Sequence, residues 1–235
     1  MVMNMMLIHG DCCAVMQQLL NDNVHVDHVI TDPPYVIDYA DWDKSFDMKQ
    51  AVHLAAQLLR RTTTGNLLLF QGWSNVAATK LLLDAEPGLV CRNWIIYDRV
   101  KGRGATYNLV STREDILWYA VSDKSTFTKT CSNVPKKTKG MGERNGLANR
   151  VLSNVWSDIS PLVPWSKERS GHPTQKPLQL MERLLTVFTN PGDVVLDFCM
   201  GSGSTGVACA KLGRDFIGVE RDEHWFTVAK QRLTK

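Results

Sequence analysis

GDVVLDFCMGSGSTGVACAKLGRDFIGVERD, residues 192–222, holds an apolar run, a glycine turn, a helix-forming stretch and a second apolar run in unbroken succession. It reads as strand, turn, helix, strand, the repeating unit of a parallel α/β sheet. Gly201, Gly203 and Gly206 fit G-x-G-x-x-G, and Glu220 ends the second strand 19 positions after Gly201. In such a unit the glycines let the backbone approach a ligand, and the acid can accept hydrogen bonds from both ribose hydroxyls. The glycine spacing alone also occurs where a helix simply packs close to a strand. Followed by an acid at a strand end, it points to a nucleoside. Asp197 stands four residues before Gly201. A carboxylate there repels a pyrophosphate at the helix N-terminus but attracts an ammonium or a sulfonium. That favours S-adenosylmethionine over NAD, with a turn or cap carboxylate as the plainer alternative for Asp197.

Outward from this unit, short apolar runs alternate with helical patterns. MLIHGD (6–11), HVITDPPY (28–35) and NLLLF (66–70) read as buried strands, and RNWIIYDR (92–99) and EDILWYAV (114–121) as two more. Val15, Leu19 and Leu20 predict a short helix, and Val52, Ala55, Ala56 and Leu59 a second. KPLQLMERLLTVF (176–188) predicts a third, with Pro177 in its first turn, and Trp225, Val228, Ala229 and Leu233 a last one. Continuous apolar strands of this kind suit a parallel sheet covered on both faces. The 235 residues fit one large domain, or one domain with a small insert, and 44% hydrophobic against 22% charged content excludes wholesale disorder.

Net charge is only +3, so its distribution matters more than its sum. Residues 122–171 carry nine Lys or Arg against four acids, a local +5, in a stretch with little periodicity. We read this as an inserted, mobile, substrate-facing region; a solvated loop with no partner has the same composition. Six cysteines form no C-x-x-C pair, which implies reduced thiols rather than disulfides or zinc. The two histidines of HVDH (25–28) lack companion ligands and are expected at the surface, with no metal. No apolar stretch reaches membrane-spanning length and the N-terminus lacks a signal pattern, so a cytoplasmic protein is expected.

Asp32-Pro33-Pro34-Tyr35 follows a strand that should end at the same sheet edge as the glycine turn. Pro34 lacks a donor and stiffens the chain, leaving the Pro33 carbonyl free to face a substrate. Asp32 and that carbonyl are two acceptors side by side, the complement of an –NH2 group. Tyr35 offers a face for a planar ring. An exocyclic amine on a base is a poor nucleophile because its lone pair is delocalised. Two acceptors on its hydrogens favour a pyramidal nitrogen with a directed lone pair, through positioning and electrostatics. The base would first have to leave the duplex stack. A rigid turn with an ordinary buried tyrosine is the plainer alternative.

Together, the two motifs resemble those of the DNA amino-methyltransferases. The order of Asp-Pro-Pro-Tyr first, then the basic segment, then the glycine turn is similar to the β-class adenine-N6 methyltransferases. HPTQKP (172–177) resembles the segment this family carries before its cofactor motif, DFCMGSGSTG (197–206) the cofactor motif itself, and GDC (10–12) the motif after the first strand. The resemblance implies a doubly wound, mostly parallel, seven-stranded Rossmann-like sheet, circularly permuted. Residues 1–121 would form the catalytic half, 122–171 a small target-recognition insert and 172–235 the cofactor half. It further implies that Asp32 and Tyr35 hold the target base while Pro33 and Pro34 shape the site. Asp11 would contact the cofactor adenine, Asp197, Gly201, Ser202 and Gly203 the methionine part, and Glu220 the ribose. Thr174, Gln175 and Lys176 would lie near the methionine carboxylate, Lys176 as counter-charge. Where the family often has His-Glu, this chain has Arg113-Glu114, which leaves that pair without a role.

Double-stranded DNA as partner needs cations near phosphates. The candidates are Arg99, Lys101 and Arg103, with Lys136, Lys137, Lys139, Arg144 and Arg150 of the insert. Dimers occur in the family, which makes a homodimer a candidate, and a cognate restriction endonuclease is a further candidate partner. The expected activity is methyl transfer from S-adenosylmethionine to adenine N6 in DNA. The alternatives are the same chemistry on cytosine N4, an RNA or protein-amide acceptor, a dinucleotide-dependent oxidoreductase and a catalytically silent DNA-binding protein.

Overall fold

The computed structural model describes residues 4–35, 46–103, 106–135, 149–163 and 165–234, with the backbone alone for 100–103, 133–135, 149 and 150. In chain order the elements are β1 (Met5–His9), α1 (Cys12–Asn21), β2 (His28–Thr31), α2 (Met48–Leu59), β3 (Asn66–Gln71), α3 (Val76–Asp84), β4 (Val90–Arg103) and β5 (Ser111–Ala120). They continue with β6 (Cys131–Pro135), β7 (Asn149–Val151), β8 (Val155–Trp156), α4 (Leu178–Phe188), β9 (Val194–Asp197), α5 (Ser204–Leu212), β10 (Asp215–Glu220) and α6 (Glu223–Leu233).

An eight-stranded sheet runs in the order β1-β10-β9-β2-β3-β5-β4-β8. The first five strands are mutually parallel, and β5 lies antiparallel between β3 and β4. This is the permuted, doubly wound sheet that the motif order predicts. The eighth strand is Val155–Trp156, which pairs beside β4. Part of the polar 122–171 stretch is therefore built into the main sheet.

Alternation along the strands divides the core in two. Leu67, Leu69, Leu117, Leu196 and Ile217 pack with α1, α2 and α3 on one face. Leu68, Phe70, Ile116, Val195 and Phe216 pack with α4, α5 and α6 on the other. Both faces are covered, which is why β2 and β3 are buried at every position.

Trp156 and Ile159 belong to the second layer, and between them Asp158 takes a two-pronged ion pair from Arg183 of α4 at 2.7 and 2.8 Å. Both side chains are buried, at 7% and 9% exposure. Asp158→Ala leaves a guanidinium without its carboxylate and should cost about 3–5 kcal/mol. Urea unfolding of the two proteins checks this; a difference below about 1 kcal/mol would rule out a structural role for the pair.

One histidine departs from expectation. His28 is fully buried at the start of β2 rather than exposed. Its Nδ1 accepts from the Asn66 amide at 3.1 Å, so Nε2 carries the hydrogen and donates to Asp193 at 2.8 Å. Two satisfied ring nitrogens make the burial tolerable.

Candidate active site

The chain leaves β9 toward β10 on one side, while β2 leads to β3 on the other. The crevice between β9 and β2 is therefore the switch point of the sheet, and ligands bind in doubly wound folds beyond the strand ends there. Asp197 ends β9, and Asp32 follows directly on β2. Both line a cavity of about 1050 Å³.

The three glycines of the turn have separate reasons. Gly201 and Gly203 have φ of 52° and 78°, which side-chain-bearing residues rarely adopt. At Gly201 a Cβ would also sit 3.2 Å from the His172 ring, and at Gly206 it would lie 2.7 Å from Phe216, where α5 crosses the sheet. Two carboxylates brace the turn. Glu220 accepts from the Gly201 amide at 2.9 Å and from the Asp222 amide at 2.8 Å. Asp197 accepts from the Thr205 hydroxyl at 2.6 Å and the Cys199 amide at 3.2 Å. Burial pushes the Asp197 carboxyl up to about 7, although those hydrogen bonds oppose the shift. Burial raises Glu220 as well. Ser202 is tied to Arg232 of α6 through its carbonyl and hydroxyl. Asp11, two residues beyond β1, caps α1 through the Ala14 amide at 3.0 Å and also lines the cavity.

On the other side, Asp32 is held from two directions. The Tyr35 hydroxyl donates to its Oδ1 at 2.9 Å, and the Lys176 ammonium to its Oδ2 at 2.6 Å. Burial, with Asp32 beside it, raises the Tyr35 phenol well above its ordinary value, so it stays a donor. Tyr35 is fixed in turn by Asn75, whose amide donates to its carbonyl at 2.6 Å. Pro33 and Pro34 line the same wall.

Several expected residues have partners that the sequence did not disclose. The Lys176 ammonium, expected against a ligand carboxylate, lies against Asp32 and, at 3.3 Å, Glu114. In a buried site two carboxylates are the strongest attraction available to it. Gln175 uses its amide on its own loop, accepting from Ser170 at 2.7 Å and donating to the Glu168 carbonyl at 2.8 Å. Thr174 lines the cavity, its amide directed at His172. Arg99, expected on a phosphate, lies 3.3 Å from Glu114 and donates to the Ser111 carbonyl at 3.1 Å. Lys136, Lys137, Lys139 and Arg144 lie outside the described residues, and Lys101, Arg103 and Arg150 are described only as strand positions in β4 and β7.

Glu114, Tyr97 and His172 are the site residues that motif reading missed. Tyr97 and Glu114 are register partners on β4 and β5, and Arg99 follows Tyr97 by two. Strand alternation was the available signal, since it puts all three on one face. His172 stacks edge-on against Trp225 with ring centroids 4.5 Å apart. Burial and the nearby Lys176 lower its pKa to about 4, so it is neutral at pH 7.

The chain as a whole is similar to several known proteins. The M1.MboII type II methyltransferase of Moraxella bovis is 30% identical over 244 residues, covering 93% of this chain and 92% of that protein. The crystal structure of an M1.HpyAVI–SAM complex superposes with a TM-score of 0.73 at 29% identity, covering 98% of this chain and all of the other. The PvuII DNA methyltransferase, described as cytosine-N4-specific, gives a TM-score of 0.72 at 13% identity and shares the fold. The N6_N4_Mtase model, described as DNA methylase, matches residues 26–231. With nearly the whole sheet and both motifs inside that match, the chain belongs to the N6_N4_Mtase family of DNA methylases.

Proposed function

We propose that this protein methylates the N6 amino group of adenine in double-stranded DNA, on a base turned out of the stack, and that its motif order places it in the β class. At the coarser level the chain is an S-adenosylmethionine-dependent DNA amino-methyltransferase. The observation that carries the finer reading is Asp32: a carboxylate on the cavity wall at the switch point, opposite the glycine turn. An acid rather than a serine before Pro-Pro-Tyr supports adenine over cytosine.

The residues fit the cofactor. The glycine turn leaves a cradle that side chains would fill, flanked by the buried Asp197 and the partly buried Glu220. Glu220 would hold the ribose and Asp11 the adenine amino group, while Asp197, Gly201, Ser202 and Gly203 would hold the methionine end. S-adenosylmethionine supplies the electrophilic methyl when bound. The chain's own contribution is to present the nucleophile. Asp32 and the Pro33 carbonyl accept the two amine hydrogens, which localises the nitrogen lone pair. Tyr35 keeps Asp32 from rotating and offers its ring beside the base. We place target recognition in residues 122–171, with Lys136, Lys137, Lys139, Arg144 and Arg150, and Lys101 and Arg103 of β4, as phosphate contacts.

The test is incubation with tritiated S-adenosylmethionine and DNA from a methylation-deficient host, followed by digestion to nucleosides. Label in N6-methyladenine supports the proposal. Label in N4-methylcytosine instead would overturn the adenine reading and leave the coarser activity standing.

A further inference from the structure

A row of alternating charges crosses the floor of the site. It runs from Arg99 on β4 to Glu114 on β5 at 3.3 Å, to Lys176 ahead of α4 at 3.3 Å, and to Asp32 after β2 at 2.6 Å. Lys176 is buried, its side chain 8% exposed, and Glu114 and Asp32 are partly buried at 13% and 19%. The Lys176 ammonium also lies 5.3 Å from the Phe70 ring and 5.7 Å from the Tyr35 ring. A buried ammonium between two carboxylates on separate segments holds Asp32 by charge and a hydrogen bond, and Glu114 by charge.

We propose that Lys176 is a positioning residue for methyl transfer, tying Asp32 to Glu114 so that the Asp32 carboxylate stays aimed at the amine. The inference rests on the methyl-transfer reading but assigns Lys176 to the nucleophile's side of the site, not to the cofactor. Each Asp32 oxygen already has one partner, Tyr35 on Oδ1 and Lys176 on Oδ2. The carboxylate cannot rotate without breaking one of them, and each oxygen keeps a lone pair for an amine hydrogen. Glu114 has the complementary task. It holds the ammonium from the far side and is itself held by Arg99. The other charged or titratable groups facing this row are Tyr35, Tyr97 opposite Glu114 with its phenol raised by burial, the buried Asp197 at the end of β9, and the neutral His172.

The charge balance sets the direction of each variant. Without Lys176, Asp32 and Glu114 are two partly buried carboxylates with no cation between them, which favours uptake of a proton. A protonated Asp32 is a donor at one oxygen and a poorer acceptor at the other. Without the Glu114 charge, Asp32 keeps the ammonium to itself, so proton uptake is no easier than before.

The experiment is the single-turnover methylation rate between pH 5 and 9 on DNA from a methylation-deficient host, with S-adenosylmethionine affinity measured in parallel by calorimetry. Wild-type turnover tests the methyl-transfer reading by itself. For Lys176→Met, the acid limb of the rate profile should move up by about one to two pH units. The rate below that limb should fall about 10-fold or more, with cofactor affinity within about 3-fold of wild type. Lys176→Arg should restore most of the rate. Glu114→Gln should leave the limb in place or move it down, and Lys176→Met/Glu114→Gln should bring it back toward wild type. Opposed shifts of this kind are not produced by general loosening. If Lys176→Met is unfolded by circular dichroism, the Lys176→Arg and Glu114→Gln profiles decide alone. An acid limb that stays put in Lys176→Met while cofactor affinity falls 10-fold or more would overturn the proposal and return the ammonium to the methionine carboxylate. A Glu114→Gln limb that moves up would also overturn it.

Discussion

Asp32→Ala should lower the single-turnover methylation rate by about 10³-fold while S-adenosylmethionine affinity stays within about 3-fold of wild type. The split follows from where the contacts lie. Asp32 makes its hydrogen bonds to Tyr35 and Lys176, and none to the glycine turn. The cofactor side is braced independently by Glu220 on the Gly201 amide and by Asp197 on Thr205. Removing the carboxylate takes away one of the two acceptors for the amine and frees the Tyr35 hydroxyl to rotate. The fold should survive, because Lys176 keeps Glu114 at 3.3 Å as counter-ion. Asp32→Asn is the stricter comparison. It preserves shape but turns one acceptor into a donor facing an ammonium, so it should be nearly as slow. Rate and calorimetry on the same preparations check both. Parallel loss of cofactor binding and turnover in Asp32→Ala would mean that the site does not divide as described.

Glu220→Ala should weaken S-adenosylmethionine binding by about 10–100-fold, the effect of losing one or two hydrogen bonds to a charged acceptor. Glu220 already accepts from the Gly201 and Asp222 amides, so its removal loosens the turn as well as removing the ribose acceptor. Saturating cofactor should recover most of the rate, unlike Asp32→Ala. The pH dependence of wild-type affinity has a definite sign. Burial holds the Asp197 carboxyl near 7, so below that value it is largely neutral and gives no attraction to an ammonium or sulfonium. Affinity should therefore rise with pH through about 7, and binding near neutrality should release a proton. Calorimetry in two buffers of different ionisation enthalpy measures that release. Glu220→Ala affinity within 3-fold of wild type would refute its assigned role.

What the sequence disclosed was local, and what it withheld was mostly long-range. The turn from Asp197 to Gly206 was legible because its strand, glycines and helix are contiguous. The Lys176–Asp32 pair was not, because the two residues are 144 positions apart and each matched a motif with its own assigned role. Glu114 was visible as the Glu of the family's His-Glu pair, with Arg113 as the departure, but only its pairing opposite Tyr97 shows where it points. Helix α3 passed unread: VAATKLLLD has no side-chain capping bond and buries only Val76, Thr79 and Leu83. Strand β8 is two residues long, below any periodicity, and is held by Trp156 in the core. His28 looked like a surface residue because Asn66 and Asp193, its partners, lie on other elements.

The pairing of β1 with β10 bears on how the molecule is made. Among the described residues β1 has no other neighbour in the sheet, and its flanking contact, the Asn4 amide on Asp215, joins residues 211 positions apart. On the ribosome β1 emerges long before its partner, and its Met-Leu-Ile segment waits until β10 is synthesised. The catalytic turn emerges early but meets Lys176 only after most of the chain has been translated, so an unfinished polypeptide carries Asp32 without its ammonium partner.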